Sequence, residues 1–506
     1  MDWMPPRATR LRRVGERVER EPAGLLEPLV ARALAEGGGL VVLGAFGSGK
    51  TETARRIGAA LGVPVVPLRV VARADDPEAT LARLLGASEA AILDGLDEIG
   101  RPGEGGVAAF FERVTARVPR WVVTSRPGHV RTELSDPDPG QVDCFHLPLV
   151  EIDPYELPAG VPGWLADNPV LLALWRRGCR GEDPRTLAEA LFASTGSADA
   201  LEALAWRAFV DPDASKEGAS FARADLAGLP AGLFVEDLDG RCRFGHRSLW
   251  DALVARRLAR LLAAGQGHGP DAVTGLAISG AMRVFLVGAF SGWPHDDTWV
   301  HVSRGNFVSG GSRSADERPL VVKHLTRDTR VMRRPVTNAE FEAFQRAHPR
   351  PPGVDYLSHW RMGRCPEALR DHPVLNLRPE DADAYAAWAG ARLPTADEWE
   401  KAVRGWDGRN FPWGDVFDPA RANTAEAGRD GTCPVDAHPQ GPLFAAVGDA
   451  FEYTASFYRD RSDRGRVTMG GSWAHPALRA SLRLSHTLSG RLRAGLRLAQ
   501  GHPCAK

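Results

Sequence analysis

At 506 residues, with 43% hydrophobic and 25% charged residues and a formal net charge of −1, the chain is too long for one ordinary core, and three or four domains are expected. The balanced charge excludes a general attraction for nucleic acid or anionic membrane, and no apolar run reaches the roughly 18 residues of a membrane span. The start, MDWMPPRATRLRR, lacks the apolar stretch of a signal peptide, and the cysteines are scattered without CxxC spacing. A reduced, cytoplasmic protein without a disulfide framework or zinc cluster is expected.

The first strong element is GLVVLGAFGSGKTETARRIGAAL. Its apolar run, Leu40 to Leu43, predicts a strand; Gly44, Gly47 and Gly49 turn the chain, and an Ala/Arg-rich amphipathic helix follows from Thr51. In that context GxxxxGK[ST] is a P-loop. Glycines let successive N–H groups curve around phosphate oxygens, and the helix N-terminus adds a favourable dipole. Gly44, Gly47, Ser48, Gly49, Lys50, Thr51 and Glu52 form the candidate ATP/ADP site, with Lys50 on the β/γ-phosphates and the Thr51 hydroxyl on Mg²⁺. The plainer reading is a glycine turn that binds nothing.

Further on, AAILDGLDEIG is a short apolar run ending in Asp94, with Asp97 and Glu98 just beyond. A carboxylate at the tip of a buried strand is costly unless it meets a cation. Asp94 is therefore expected at Mg²⁺, directly or through water, and Asp97 or Glu98 is placed to polarise attacking water. In RWVVTSRPGHV another strand, Trp121 to Thr124, leads to Arg126, which is placed to sense the γ-phosphate. In isolation these two stretches read as an acidic turn and a solvated arginine.

Together GAFGSGKT, ILDGLDE and VVTSRP resemble the NACHT group of STAND NTPases. The resemblance continues in DNPVLLALW and in CRFGHRSLWDALVARRLARLL, and it implies that Pro169 and His246 contact bound ADP. His246 also reads as a polar residue capping the helix behind it. The spacing between P-loop and acidic strand is shorter than the family's. The expected fold class is multidomain α/β: a P-loop NTPase core with a parallel sheet and helices on both faces over 1–135, a helical domain over 136–200 and a winged-helix domain over 201–265. AAGQGHGPDAVTG, Gly-rich and weakly patterned, marks a linker, placed at 266–296.

From about Trp299, Trp, Gly, Pro and short alternating segments replace Ala/Leu/Arg helices. MRRPVTNAEFEAFQRAH predicts a helix with Thr337 or Asn338 as N-cap, and TADEWEKAVRG a helix with Thr395 and Glu398 as capping box. GNF, HPVLNL, ARLPTADEWEKAVRG, FPWGD, VGDAFEYTASFY, GGSW and GLRLA, in that order, resemble the formylglycine-generating-enzyme (sulfatase-modifying-factor) domain, a C-type-lectin-like α+β fold, over 297–501. The resemblance implies Ca²⁺ near Asn423, Asp430 and Glu452, although Ala445 stands where the family has a liganding Asn. It also implies internal, structural roles for Arg479, Arg483 and Arg497. The family's copper chemistry needs two thiols, and thiolate is the soft donor suited to Cu(I). Between GGSW and LRASLR this chain has only AHPA, with no cysteine from Leu443 to Pro503. Formylglycine-generating activity is expected to be absent, and loop residues Trp473, Ala474, His475, His486, Arg491 and Arg493 become candidates for ligand contact.

The expectation is a slow ATPase switch. The C-terminal domain binds an unknown protein or peptide and triggers self-association in bacterial defence, with no membrane or nucleic-acid partner. The stretch before the P-loop is too short for an effector domain, so a separate effector protein is expected. Alternatives are a retroelement-diversified variable binding protein and, below it, a modification enzyme of the formylglycine-generating type.

Overall fold

Side chains alternate across a strand, so a strand apolar at every position needs cover on both faces. The computed structural model describes residues 7–14, 17–44, 50–74, 76–96, 99, 106–125, 130–131, 142–143, 149–152, 161, 172, 175, 181–211, 221–230, 233–236, 242–244, 247–311, 317, 319–349, 357–361, 363–457, 465–485 and 494–501. The chain divides into two units, Met1–Trp250 and Asp251–Lys506.

The first unit opens with β1 (Arg7–Val14) and β2 (Arg17–Leu25), followed by α1 (Leu26–Glu36), β3 (Gly38–Leu43) and α2 (Lys50–Leu61). Next come β4 (Val65–Pro67), α3 (Leu68–Arg73), α4 (Pro77–Leu85), β5 (Ala90–Asp94), α5 (Gly106–Arg117) and β6 (Arg120–Ser125). Two short strands, β7 (Val130–Arg131) and β8 (Val142–Asp143), pair in parallel before β9 (Leu149–Ile152). The main sheet has the order β2-β1-β9-β3-β6-β5-β4. From β9 to β4 all neighbours are parallel.

The two faces carry separate cores. Leu40 and Val42 pack with Leu26, Val30 and Leu34 of α1 and Ile57 of α2. Val41 and Leu43 pack with Leu81 of α4 and with Phe110, Phe111 and Val114 of α5. The predicted parallel sheet with helices on both faces is therefore present, with two corrections. β1 joins β9 and β2 in antiparallel fashion, adding a hairpin to one edge. β9 lies in the 136–200 stretch expected to be helical. Its Val150 and Ile152 are buried in the sheet's core beside Val42, so burial sets its state.

The rest of this unit contains α6 (Pro184–Thr195), α7 (Ala198–Val210) and the antiparallel pair β10 (Phe234–Glu236) and β11 (Cys242–Phe244). The division between the units falls within α8 (Arg247–Ala264).

In the second unit, residues 266–296 are not the expected linker. Gln266 Nε2 donates to Leu262 O at 2.8 Å and to Asn306 O at 2.7 Å, and Gly267 N donates to Arg304 O at 2.8 Å. Asn306 Nδ2 donates to Asp271 Oδ1 at 2.7 Å, while Thr274 Oγ1 donates to Asn306 Oδ1 at 2.9 Å. A Cβ on Gly305 would stand 2.5 Å from Gly265 O, so this close approach requires glycine. The run AMRVFLVGAF supplies α9 (Gly280–Leu286), whose Arg283 pairs with Asp415 at 2.6 Å. Glycine-rich composition here reflects tight docking instead of slack.

The remainder has many loops: β12 (Trp299–Val302), β13 (Gly305–Ser309), β14 (Val321–Leu325), β15 (Thr329–Met332), α10 (Asn338–Ala347), α11 (Pro379–Trp388) and α12 (Ala396–Arg404). After two short strands, β16 (Pro439–Gln440) and β17 (Leu443–Phe444), come β18 (Phe451–Phe457), β19 (Arg466–Met469), β20 (Leu484–Ser485), β21 (Ala494–Leu496) and β22 (Ala499–Gly501). Thr337 caps α10 and Thr395 caps α12, each in a capping box with the Glu three residues on.

Candidate functional site

In the first unit the strand ends gather the predicted chemistry. Lys50 begins α2, and its Nζ donates at 2.8 Å to the carbonyl oxygen of Gly44, the residue that follows β3. Gly44 N donates to Ser125 O at 3.0 Å, which aligns the ends of β3 and β6. Asp94, the last residue of β5, is 8% exposed, and Thr124 of the neighbouring strand is 4% exposed. Thr124 Oγ1 donates to Asp94 Oδ1 at 2.6 Å and accepts from Gly95 N at 2.9 Å. Thr51 is exposed at the start of α2.

Gly44, Lys50, Thr51 and Asp94 thus belong to the carboxyl end of the parallel strands, where open α/β sheets bind ligands. An ammonium, a hydroxyl and a buried carboxylate at that edge suit a metal-bound polyphosphate, so the residues fit ATP or ADP with Mg²⁺. Glu52 lies in α2. Gly47, Ser48, Gly49, Asp97, Glu98, Arg126, Pro169 and His246 lie outside the described residues. Sequence reasoning missed Thr124: a hydroxyl near a strand end carries no signal until β6 is seated beside β5.

In the second unit the GGSW loop is pinned by its backbone. Gly470 has φ +96°, and a Cβ there would stand 2.7 Å from Ala446 O. Trp473 N donates to Asp449 O at 3.1 Å, Ala425 N to His475 O at 2.9 Å, and Ala477 N to Glu426 Oε1 at 2.9 Å. Ser472 Oγ and His475 Nδ1 are 2.7 Å apart, and the His475 ring meets Phe451 edge-on at 5.2 Å. Ala474, His475 and Pro476 are exposed, so the loop is a held, outward-facing turn. His486, Arg491 and Arg493 lie outside the described residues.

The same unit holds a buried charge network. Arg483 pairs with Asp397 at 2.6 Å and Glu400 at 2.5 Å; Arg404 also pairs with Glu400. Burial opposes ionisation of Glu400, but Arg483 and Arg404 outweigh it and hold the carboxyl below its ordinary range. Arg479 reaches Glu317 at 3.2 Å, and Arg497 meets Glu452 at 2.9 Å with both side chains fully buried. Arg479, Arg483 and Arg497 thus make the internal, structural contacts that the sequence resemblance implies.

At Glu452, one of the residues expected near calcium, the carboxylate is engaged by protein partners. Its Oε2 accepts from Trp399 Nε1 at 2.7 Å and Arg497 Nε at 3.0 Å, and its Oε1 from Arg497 Nη2 at 2.9 Å. Both oxygens serve an ion pair. Asn423 Nδ2 donates to Asp449 Oδ1 and Gly431 O at 2.8 and 2.9 Å, leaving its buried Oδ1 without a hydrogen-bond partner. Asp430 is exposed. Among the described residues no group of three His, Cys, Asp or Glu is arranged to hold a metal ion. Burial pushes the Cys365 thiol up to about 11, and burial and Asp449 raise that of Cys433. Neither is a ready thiolate.

The family model for the sulfatase-modifying factor enzyme 1-like domain matches residues 292–501. The C-terminal region is such a domain. The match starts within the 266–296 stretch, in line with that stretch's contacts to the C-terminal unit. Over 136 residues the chain is 39% identical to the inactive C-alpha-formylglycine-generating enzyme 2 of Bos taurus, covering 23% of this chain and 45% of that protein. It is 34% identical over 262 residues to the hercynine oxygenase of Mycolicibacterium smegmatis, covering 40% and 61%. The chain thus spans about half the length of the curated relatives it matches. Among solved structures it is similar to PvdO from Pseudomonas aeruginosa, at 20% identity, a TM-score of 0.33, and coverage of 40% of this chain and 94% of that one. A STAND protein with a tetratricopeptide-repeat sensor from Pyrococcus horikoshii matches at 12% identity and a TM-score of 0.26, covering 50% and 46%. No described helix is long and apolar enough to cross a membrane.

Proposed function

We propose that the first unit is an ATP/ADP-switched NTPase of the STAND type, and that the sulfatase-modifying-factor-like domain is its ligand sensor. The observation that carries the first half is the Asp94–Thr124 bond: a buried carboxylate at the carboxyl ends of the parallel strands, the edge to which Gly44 and Lys50 also belong. Supporting the second half, the GGSW loop presents Ala474, His475 and Pro476 where the family's chemistry calls for thiols. In this reading Lys50 binds phosphate, Thr51 and Asp94 hold Mg²⁺, and the metal neutralises charge on the phosphates. ADP maintains the closed form. A protein or peptide bound at Trp473–His475 favours an ATP-bound form that self-associates and engages a separate effector in bacterial defence, which requires the ligand to prefer that form.

Sedimentation of the full chain with ADP and with ATP tests this. A larger ATP particle that disappears in Lys50→Ala is the expected result; unchanged assembly in that variant would sink the switch. A second reading, a modification enzyme acting on peptides, draws on the domain match itself. Copper-dependent thiol oxidation of a peptide by the purified chain would establish it.

A further inference from the structure

We propose that Thr124 is the positioning residue that sets which oxygen of Asp94 meets the metal; the proposal rests on reading this edge as a Mg²⁺–nucleotide site. Strands β5 and β6 run parallel with Leu93 opposite Val123, which brings the next residue of each, Asp94 and Thr124, side by side. The Thr124 hydroxyl has one proton, and it goes to Asp94 Oδ1 at 2.6 Å. The Thr124 hydroxyl oxygen in turn accepts from Gly95 N at 2.9 Å. Both directions of the hydroxyl are thus engaged, and a β-branched residue has little χ1 freedom with which to leave. Gly95, at φ +81°, takes a conformation that L side chains rarely adopt, so the turn that delivers its N–H is built for glycine.

The consequence is chemical. With one lone pair of Oδ1 committed to a buried donor, Oδ2 is the better placed oxygen for a cation, so Asp94 is a ligand of set direction. Mg²⁺ demands near-octahedral geometry at about 2.0–2.1 Å and tolerates misplacement poorly. Bonds that orient a metal ligand typically govern about 10–100-fold of metal affinity. Thr124 therefore acts on magnesium without touching it, and its loss should leave phosphate contacts through Lys50 in place.

The test is a Mg²⁺ titration of the full chain with mant-ADP, read by fluorescence. Thr124→Val keeps the shape and removes the hydroxyl. It is expected to raise the Mg²⁺ concentration at half-saturation about tenfold or more, while Thr124→Ser restores it to within about twofold of wild type. Binding of mant-ADP in EDTA should be the same in all three, a result that a merely structural role would not produce. A Thr124→Val titration that superimposes on wild type overturns the proposal. If that variant does not fold, Thr124→Ala replaces it, with the same expected shift and the same overturning result. Lys50→Ala separates the two levels: it should weaken mant-ADP with or without Mg²⁺. A wild-type chain that never binds mant-ADP removes both the site reading and the role of Thr124.

Discussion

The two units solve the same problem, stable burial of backbone and core, by different chemistry. In the first, regular strands and helices satisfy the backbone, and the interior is apolar on both faces of the sheet. Its described buried polar groups include Asp94, Thr124 and Ser125 at the strand ends. In the second, loops predominate, and side chains must satisfy the carbonyls that helices and sheets otherwise would. Arg404 donates to Arg409 O, Gly310 O and Gly408 O, and Lys401 to Ser303 O and Gly305 O. A buried cation in such a frame is a backbone surrogate as well as a charge. The lesson is that a hydrogen-bonded buried carboxylate marks the candidate site in one unit, whereas buried ion pairs serve as scaffold in the other.

The largest expected effect comes from breaking that scaffold. Arg497→Ala strands the Glu452 carboxylate in the interior and is expected to cost about 3–5 kcal/mol, seen as a large fall in the urea midpoint of the second unit. Removing both partners with Arg497→Met and Glu452→Leu should recover much of the loss. In the first unit the corresponding break is apolar: Ile92→Ala, in the core shared by α1 and α2, is expected to cost about 3 kcal/mol by denaturation.

Lys401 sharpens the contrast through pH. Burial lowers its amine to about 7, and its ammonium end lies near the Trp293 and Phe307 rings. Its folded value lies below its unfolded value of about 10.4, so between them the unfolded chain binds the extra proton and stability rises with pH. Calorimetry should show melting temperature increasing from pH 7 to 9, worth about 1–2 kcal/mol, with the slope flattened in Lys401→Met. Thr395→Ala, which removes the α12 cap, should cost about 1 kcal/mol. Smallest of all, Arg117→Ala at the exposed 2.6 Å pair with Glu78 should change stability by about 0.5 kcal/mol or less, within salt-dependent drift.

Much of both units was legible beforehand because the signals are local. The β3 run and α2 follow from apolar periodicity and glycine placement, and the capping boxes at Thr337 and Thr395 from a three-residue spacing. The 266–296 segment was not legible: Gly, Gln and His there look like slack chain, and only the partners Asn306, Arg304 and Val322 make them ordered. β9 is illegible in the sequence for a similar reason, since its four residues acquire strand character from β1 and β3 on either side. Glu452 matched a calcium position in the chain, but the nearest cation in space is Arg497.

By itself the sequence determined the apolar run Leu40 to Leu43, the P-loop pattern through Thr51, the acidic end of β5 and the absence of cysteine between GGSW and LRASLR. All of these are properties of residue type and spacing within one segment. Tertiary structure alone decided that Thr124 bonds Asp94, that Glu452 pairs with the Arg497 guanidinium, and that 266–296 is part of the C-terminal unit. Each of those depends on which distant strand or loop lies within hydrogen-bond reach, and no local pattern encodes that distance.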